Sequence, residues 1–132
     1  MSDIRKRALD HTDLEVHKKA YGLAMQLFWL SKRFPKEEMY SLTDQIRRSS
    51  RSITANIAEA WEKRRYRASF IAKLTDSCAE LAETKEWITY AVDCGYLQQS
   101  DVQAIFTDYD GVHKTLRAMI LHADEWCKAA KN

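Results

Sequence analysis

The strongest constraint on this chain is the stretch from Met39 to Trp61, MYSLTDQIRRSSRSITANIAEAW. Met39, Leu42, Ile46, Ile53, Ile57 and Trp61 recur at intervals of three, four and seven, with Ser49 or Ser50 in the one gap. That spacing sets them along one face of an amphipathic helix. Between them lie three arginines, four serines and Asn56, a more specific polar set than a solvated face requires.

The flanks of this stretch define its neighbours. Phe34-Pro35 interrupts the helical pattern, because the residue before proline is pushed out of the helical region. Pro35, Lys36, Glu37 and Glu38 suit a helix start, where proline lacks only an orphan donor and carboxylates meet the positive helix end. Upstream, Thr12 and Glu15 have capping-box spacing, which predicts a first helix from there to about Arg33. Leu14, Tyr21, Ala24 and Phe28 share a face that Val16, Ala20, Leu23, Leu27 and Leu30 widen, with Trp29 beyond it. A sector this broad exceeds one core stripe, so part of it is expected to face another subunit. The short break makes the first two helices antiparallel neighbours.

The second helix is predicted to reach Arg64 or Tyr66, and a third to run from near Ala68 to Asp93. Phe70, Leu74, Ser77, Leu81, Thr84, Ile88 and Ala91 mark its inner face, and Cys94-Gly95 ends it in a left-handed cap. Ser100 or Asp101 can cap a fourth helix that continues to about Lys128. Gly111, inside that helix, is expected to pack beside a large side chain or to mark a kink. The sum is an all-α, up-down-up-down four-helix bundle over residues 12–132, preceded by a mobile basic arm over residues 1–11. Three glycines and one proline in 132 residues fit such a fold, which needs few turns.

The net charge of +2 does not by itself imply a nucleic-acid partner, but its distribution is uneven. Residues 44–73 hold eight Lys or Arg against three Asp or Glu, and residues 80–110 hold seven acids and one lysine. Such separation can steer a partner, or one copy towards another. Cys78, Cys94 and Cys127 are far apart and lack zinc-site spacing, which favours reduced thiols in a cytoplasmic protein. Neither a signal peptide nor a long apolar run is present, so no membrane association is expected.

The chain contains no phosphate-binding loop, zinc-protease motif, nucleophile elbow or glutamate-histidine pair of the kind that holds metals in helical bundles. A non-enzymatic protein without cofactor or metal is the expectation. His11, His17, His113 and His122 show no clustering, and the last two lie about 13 Å apart along one helix. The candidate binding residues are Arg47, Arg48 and Arg51, with Lys63, Arg64, Arg65 and Arg67 further along. Guanidinium groups suit phosphate contacts, and they equally suit ion pairs with the acidic third helix or a neighbouring subunit. Gln45, Ser52, Asn56 and Glu59, with Ser49, read as a polar ladder fixing helix register, or as solvated side chains.

Three segments carry a resemblance: DLEVHKKAYGLA at Asp13–Ala24, FPKEEMYSLTDQIRRSSRSITANIAEAW at Phe34–Trp61, and ELAETKEW at Glu80–Trp87 followed by CGYL at Cys94–Leu97. Together they resemble the four helix bundle protein family, also called the 23S ribosomal RNA intervening-sequence or S23 family. Phe34, Pro35, Glu38, Tyr40, Leu42, Gln45, Arg47, Arg48, Ser52, Ile53, Asn56, Ile57, Ala58 and Glu59 match its central pattern, and Ala60 replaces its usual glycine. The resemblance implies a four-helix bundle assembled as a homopentamer, with an uncharacterised biochemical role. It also implies a similarity to the accessory variability determinant of diversity-generating retroelements, which binds nucleic acid and reverse transcriptase. The combined expectation is a cytoplasmic scaffold or binding module that contacts RNA, or a purely structural protein-interaction assembly.

Overall fold

The computed structural model describes residues 4–131, and all regular structure among them is helical. Residues 1–3 of the predicted arm, and Asn132, lie outside the described residues. The elements are α1 (Ile4–Arg7), α2 (Glu15–Ser31), α3 (Leu42–Glu62), α4 (Arg67–Asp93), α5 (Gln99–Leu121) and α6 (Ala123–Lys131). They form a helical bundle in which α3 packs on α2 and α4, and α5 packs on α4 and back on α2. Helices α2 and α4 are diagonal, each packed on α3 and α5.

The core follows the periodic positions. Leu23 and Leu27 of α2, Ile46, Ile53 and Ile57 of α3, Phe70, Leu74, Leu81 and Ile88 of α4, and Val102, Tyr109 and Leu116 of α5 are buried together. Each such side chain, once removed from water, contributes roughly 1.5–3 kcal/mol. Ala60, where the resemblance implies a glycine, is also buried and uses its methyl group in this core.

Helix boundaries differ from the expectations at three places. The predicted Thr12–Glu15 cap is replaced by one around Asp10 and Asp13, whose carboxylate accepts from the amides of Leu9 at 2.8 Å and Asp10 at 3.1 Å. Burial of Leu14 draws the backbone into an extended conformation there, so α2 starts at Glu15. Pro35 is likewise extended, and Lys36–Glu38 form a single tight turn rather than the opening of a long helix. Met39 and Tyr40 therefore sit in an exposed turn, and Met39 does not join the core stripe. Finally, the predicted fourth helix divides at His122, whose backbone (φ −101, ψ 28) leaves helical geometry and separates α5 from α6.

The cap after α4 forms as expected. Gly95 has φ +82, a conformation that costs a side-chain-bearing residue roughly 1–2 kcal/mol. The Tyr96 amide then reaches the Ala91 carbonyl at 2.9 Å, and the Gly95 amide reaches Val92 at 3.0 Å. α5 runs unbroken through Gly111, and no large residue packs on it, since a Cβ built there meets nothing within 4 Å. Within the segment predicted as a mobile arm, α1 lies against α6, with Arg5 paired to Glu125 and its guanidinium 6.0 Å from the Trp126 ring centre.

Candidate interaction surface

The outer side of α2 carries large apolar groups that the bundle leaves uncovered. Tyr21 is 56% exposed, Met25 40% and Trp29 62%. Their spacing of four residues aligns them in one stripe along the helix. Half-buried Phe28 lies at its edge and packs edge-on against Trp29, with ring centres 5.1 Å apart. Three cations converge on it: Lys32 Nζ is 4.7 Å from the Phe28 ring centre, and the Arg47 and Arg51 guanidinium carbons are 4.8 and 5.9 Å away. Such contacts are each worth about 0.5–1 kcal/mol at exposed sites. Arg47 also donates from Nε to the Ser31 hydroxyl at 2.8 Å. The result is an aromatic patch with a cationic rim at the corner between α2 and α3.

The seven candidate cations divide into distinct environments. Arg48 points to the other side of α3, towards α4, where it meets Glu83 at 2.9 Å and Glu80 at 3.6 Å. Arg64 lies over the Trp61 ring, 3.4 Å from its centre, and donates to the Trp61 carbonyl at 2.9 Å. Trp61 in turn meets Trp126 of α6 edge-on, so Arg64 covers an aromatic pair that holds the end of the bundle. Arg67 pairs with Asp124. Among the described residues, Arg47, Arg51, Lys63 and Arg65 make no ion pair with a carboxylate, though Arg47 is held by Ser31 and Phe28.

The polar residues of α3 sort similarly. Ser52 donates to the Arg48 carbonyl and Asn56 to the Ser52 carbonyl, both at 2.9 Å and both within α3. Gln45 Oε1 is 3.4 Å from Arg48, and Glu59 reaches across to Lys73 of α4 at 3.1 Å. Among the described residues, only Ser49 of that set enters a buried cross-helix contact, and its partner lies on α4. The Ser77 hydroxyl donates to the Ile53 carbonyl at 2.8 Å, and the Ser49 and Thr84 hydroxyls are 2.8 Å apart. Ser77 and Thr84 occupy apolar positions of the α4 repeat, and a hydroxyl in such a register was the available signal for a buried polar contact.

Titratable groups reflect these surroundings. Glu80 is held above the ordinary carboxylate range by burial first, then by neighbouring Glu83, against the pull of Arg48. Burial likewise pushes the Cys78 thiol up, which lowers its thiolate fraction. The histidines are less separate than their spacing suggests: His11 and His17 meet edge-on at 4.8 Å, because the turn at His11–Asp13 folds back on α2. Burial, then the neighbouring His11, lowers the His17 pKa. Among the described residues no three His, Cys, Asp or Glu side chains are grouped to hold a metal ion, and no helix is long and apolar enough to cross a membrane.

The pattern of the family described as 23S rRNA-intervening sequence protein matches residues 12–118, from the turn before α2 to near the end of α5. The chain belongs to that family. A solved structure from Bacteroides thetaiotaomicron, described as a protein with unknown function from the S23 ribosomal protein family, is similar in both sequence and fold. The two chains are 31% identical, with a TM-score of 0.71 over 80% of this chain and 97% of the other. No curated protein matches the chain. The 23S rRNA-intervening sequence signature has a clear structural basis at one end of the bundle. Phe34 packs on Tyr96 with ring centres 5.6 Å apart, and Glu38 accepts the Tyr96 hydroxyl at 2.8 Å.

Proposed function

We propose that this member of the 23S rRNA-intervening sequence protein family is a non-enzymatic scaffold. In this reading α2–α5 form a four-helix bundle, and copies of it assemble in the cytoplasm as a homopentameric ring. The observation that carries the reading is the uncovered Tyr21–Met25–Trp29 stripe. Apolar area taken out of water returns roughly 25 cal/mol per Å2, so a second copy covering the stripe is favoured. The number five rests on the family resemblance. Light scattering or native mass spectrometry at micromolar concentration is expected to show a five-chain particle, and a monomer would overturn the reading.

A second reading, RNA contact, is supported by Arg51, Lys63 and Arg65, which lack a carboxylate partner among the described residues. RNA bound through phosphate contacts loses affinity steeply as salt rises, because each neutralised phosphate releases condensed counterions. Replacing Lys63 and Arg65 with Ala is expected to weaken binding and flatten that salt dependence. Absence of binding at low salt would leave the protein-only scaffold.

A further inference from the structure

We infer that the cationic aromatic corner between α2 and α3 docks onto the acidic outer side of α4 in a second copy of this chain. The inference rests on the self-assembly reading and adds to it the two faces that meet.

The argument begins with charges the bundle does not neutralise. Of the acids in residues 80–110, Glu80 and Glu83 face Arg48, Asp101 faces Arg33, Asp108 faces Lys19 and Asp110 faces Lys85. Glu86 and Asp93 have no such partner among the described residues. Both are exposed on α4, and Tyr90, 54% exposed, lies between them. The spacing 86, 90, 93 places all three on one side of the helix. Half-buried Trp87 adjoins that side, with its ring centre 6.0 Å from that of Tyr90.

This face mirrors the first one in composition and opposes it in charge. One has Tyr21, Met25 and Trp29 beside Lys32, Arg47 and Arg51; the other has Tyr90 between Glu86 and Asp93. An aromatic centre with a charged rim is the usual anatomy of a protein interface, and opposite rims set its register. Pairing two α2 corners would instead bring six cations together. Because α2 and α4 are diagonal, two copies joined through these unlike faces leave one unsatisfied face of each kind. Such head-to-tail contacts propagate and close into a ring when the rotation permits.

Charge reversal tests the pairing, with particle mass as the readout and circular dichroism confirming that each variant folds. The variants Arg47→Glu with Arg51→Glu, and separately Glu86→Lys with Asp93→Lys, are each expected to reduce the assembly to single chains. The quadruple variant, which reverses two charges on each rim, is expected to reassemble. Trp29→Ser, at a mostly exposed side chain, is expected to dissociate the assembly without loss of helicity. A wild-type particle whose mass neither folded charge-reversal variant alters would overturn the inference while preserving self-assembly. So would failure of a folded quadruple variant to reassemble. A monomeric wild type would overturn both, and a monomer that binds a fluorescent single-stranded RNA through Arg47 and Arg51 would assign the corner to RNA.

Discussion

The Tyr96 hydroxyl donates a 2.8 Å hydrogen bond to Oε2 of Glu38, across a sequence separation of 58 residues. The other oxygen of the same carboxylate accepts from the Ser41 hydroxyl at 2.6 Å and the Leu42 amide at 3.4 Å. One side chain therefore caps the start of α3 and ties it to the turn that follows α4.

These contacts have opposite consequences in acid and base. The Ser41 hydroxyl first, then Tyr96, holds the Glu38 carboxyl below the ordinary carboxylate range. Its contribution is present above that range and is lost as pH falls through the lowered value. The bond from Tyr96 to Glu38, with some burial, pushes the phenol up from 10.0 to about 12. That contribution is complete below the ordinary phenol value and is lost as pH rises through about 12. Tyr96→Phe is expected to lower the thermal midpoint at neutral pH, with the difference from wild type narrowing once Glu38 is protonated. Circular dichroism melts across pH check this, and identical midpoints at pH 7 would refute it.

The Ser77–Ile53 bond predicts a graded response. Ser77→Ala removes one hydrogen bond and leaves the Ile53 carbonyl its place in the helix, so a loss of about 1 kcal/mol is expected. Ser77→Leu forces extra volume between α3 and α4 at a fully buried position and is expected to cost about 1–3 kcal/mol from overpacking alone. Urea unfolding monitored by circular dichroism measures both. A leucine variant as stable as wild type would show that the two helices have room to separate.

Two glycines, Gly111 within α5 and Gly95 in the cap after α4, respond in opposite directions. Gly111→Ala adds a methyl group to open space inside α5 and is expected to stabilise the fold by up to about 1 kcal/mol. Gly95→Ala must hold φ +82 with a side chain and is expected to destabilise it by about 1–2 kcal/mol. Denaturant midpoints of the two variants, measured together, give the comparison.

Tyr109 offers a test within the core. Its ring is fully buried and its hydroxyl has no hydrogen-bond partner among the described residues. Burial alone pushes its phenol pKa upward. An unpaired buried hydroxyl costs about 1–3 kcal/mol, so Tyr109→Phe is expected to raise stability. A lower midpoint would mean that the hydroxyl is bonded to buried water.

Much of the bundle is written in local pattern. The core positions Ile46, Ile53 and Ile57, the break at Phe34-Pro35 and the left-handed cap at Gly95 all follow from spacing or backbone sterics, which act within a few residues. The start of α3 was less legible, because Glu38 chooses between continuing a helix and capping a new one through its contacts with Ser41 and Tyr96. The division at His122 carries no proline or glycine signal, and Trp126 beyond it packs on Trp61.

The arginines show the same boundary most clearly. The sequence alone determined a helical chain with a basic stretch, a broad apolar sector on the first helix and family membership, because these reside in composition, periodicity and motif. Only the tertiary structure decided that Arg48 faces Glu80 and Glu83, that Arg64 covers Trp61, and that Arg47 and Arg51 frame Phe28. Those outcomes depend on which groups from distant parts of the chain come within a few ångströms, where charge attraction and ring contact become strong enough to orient a side chain.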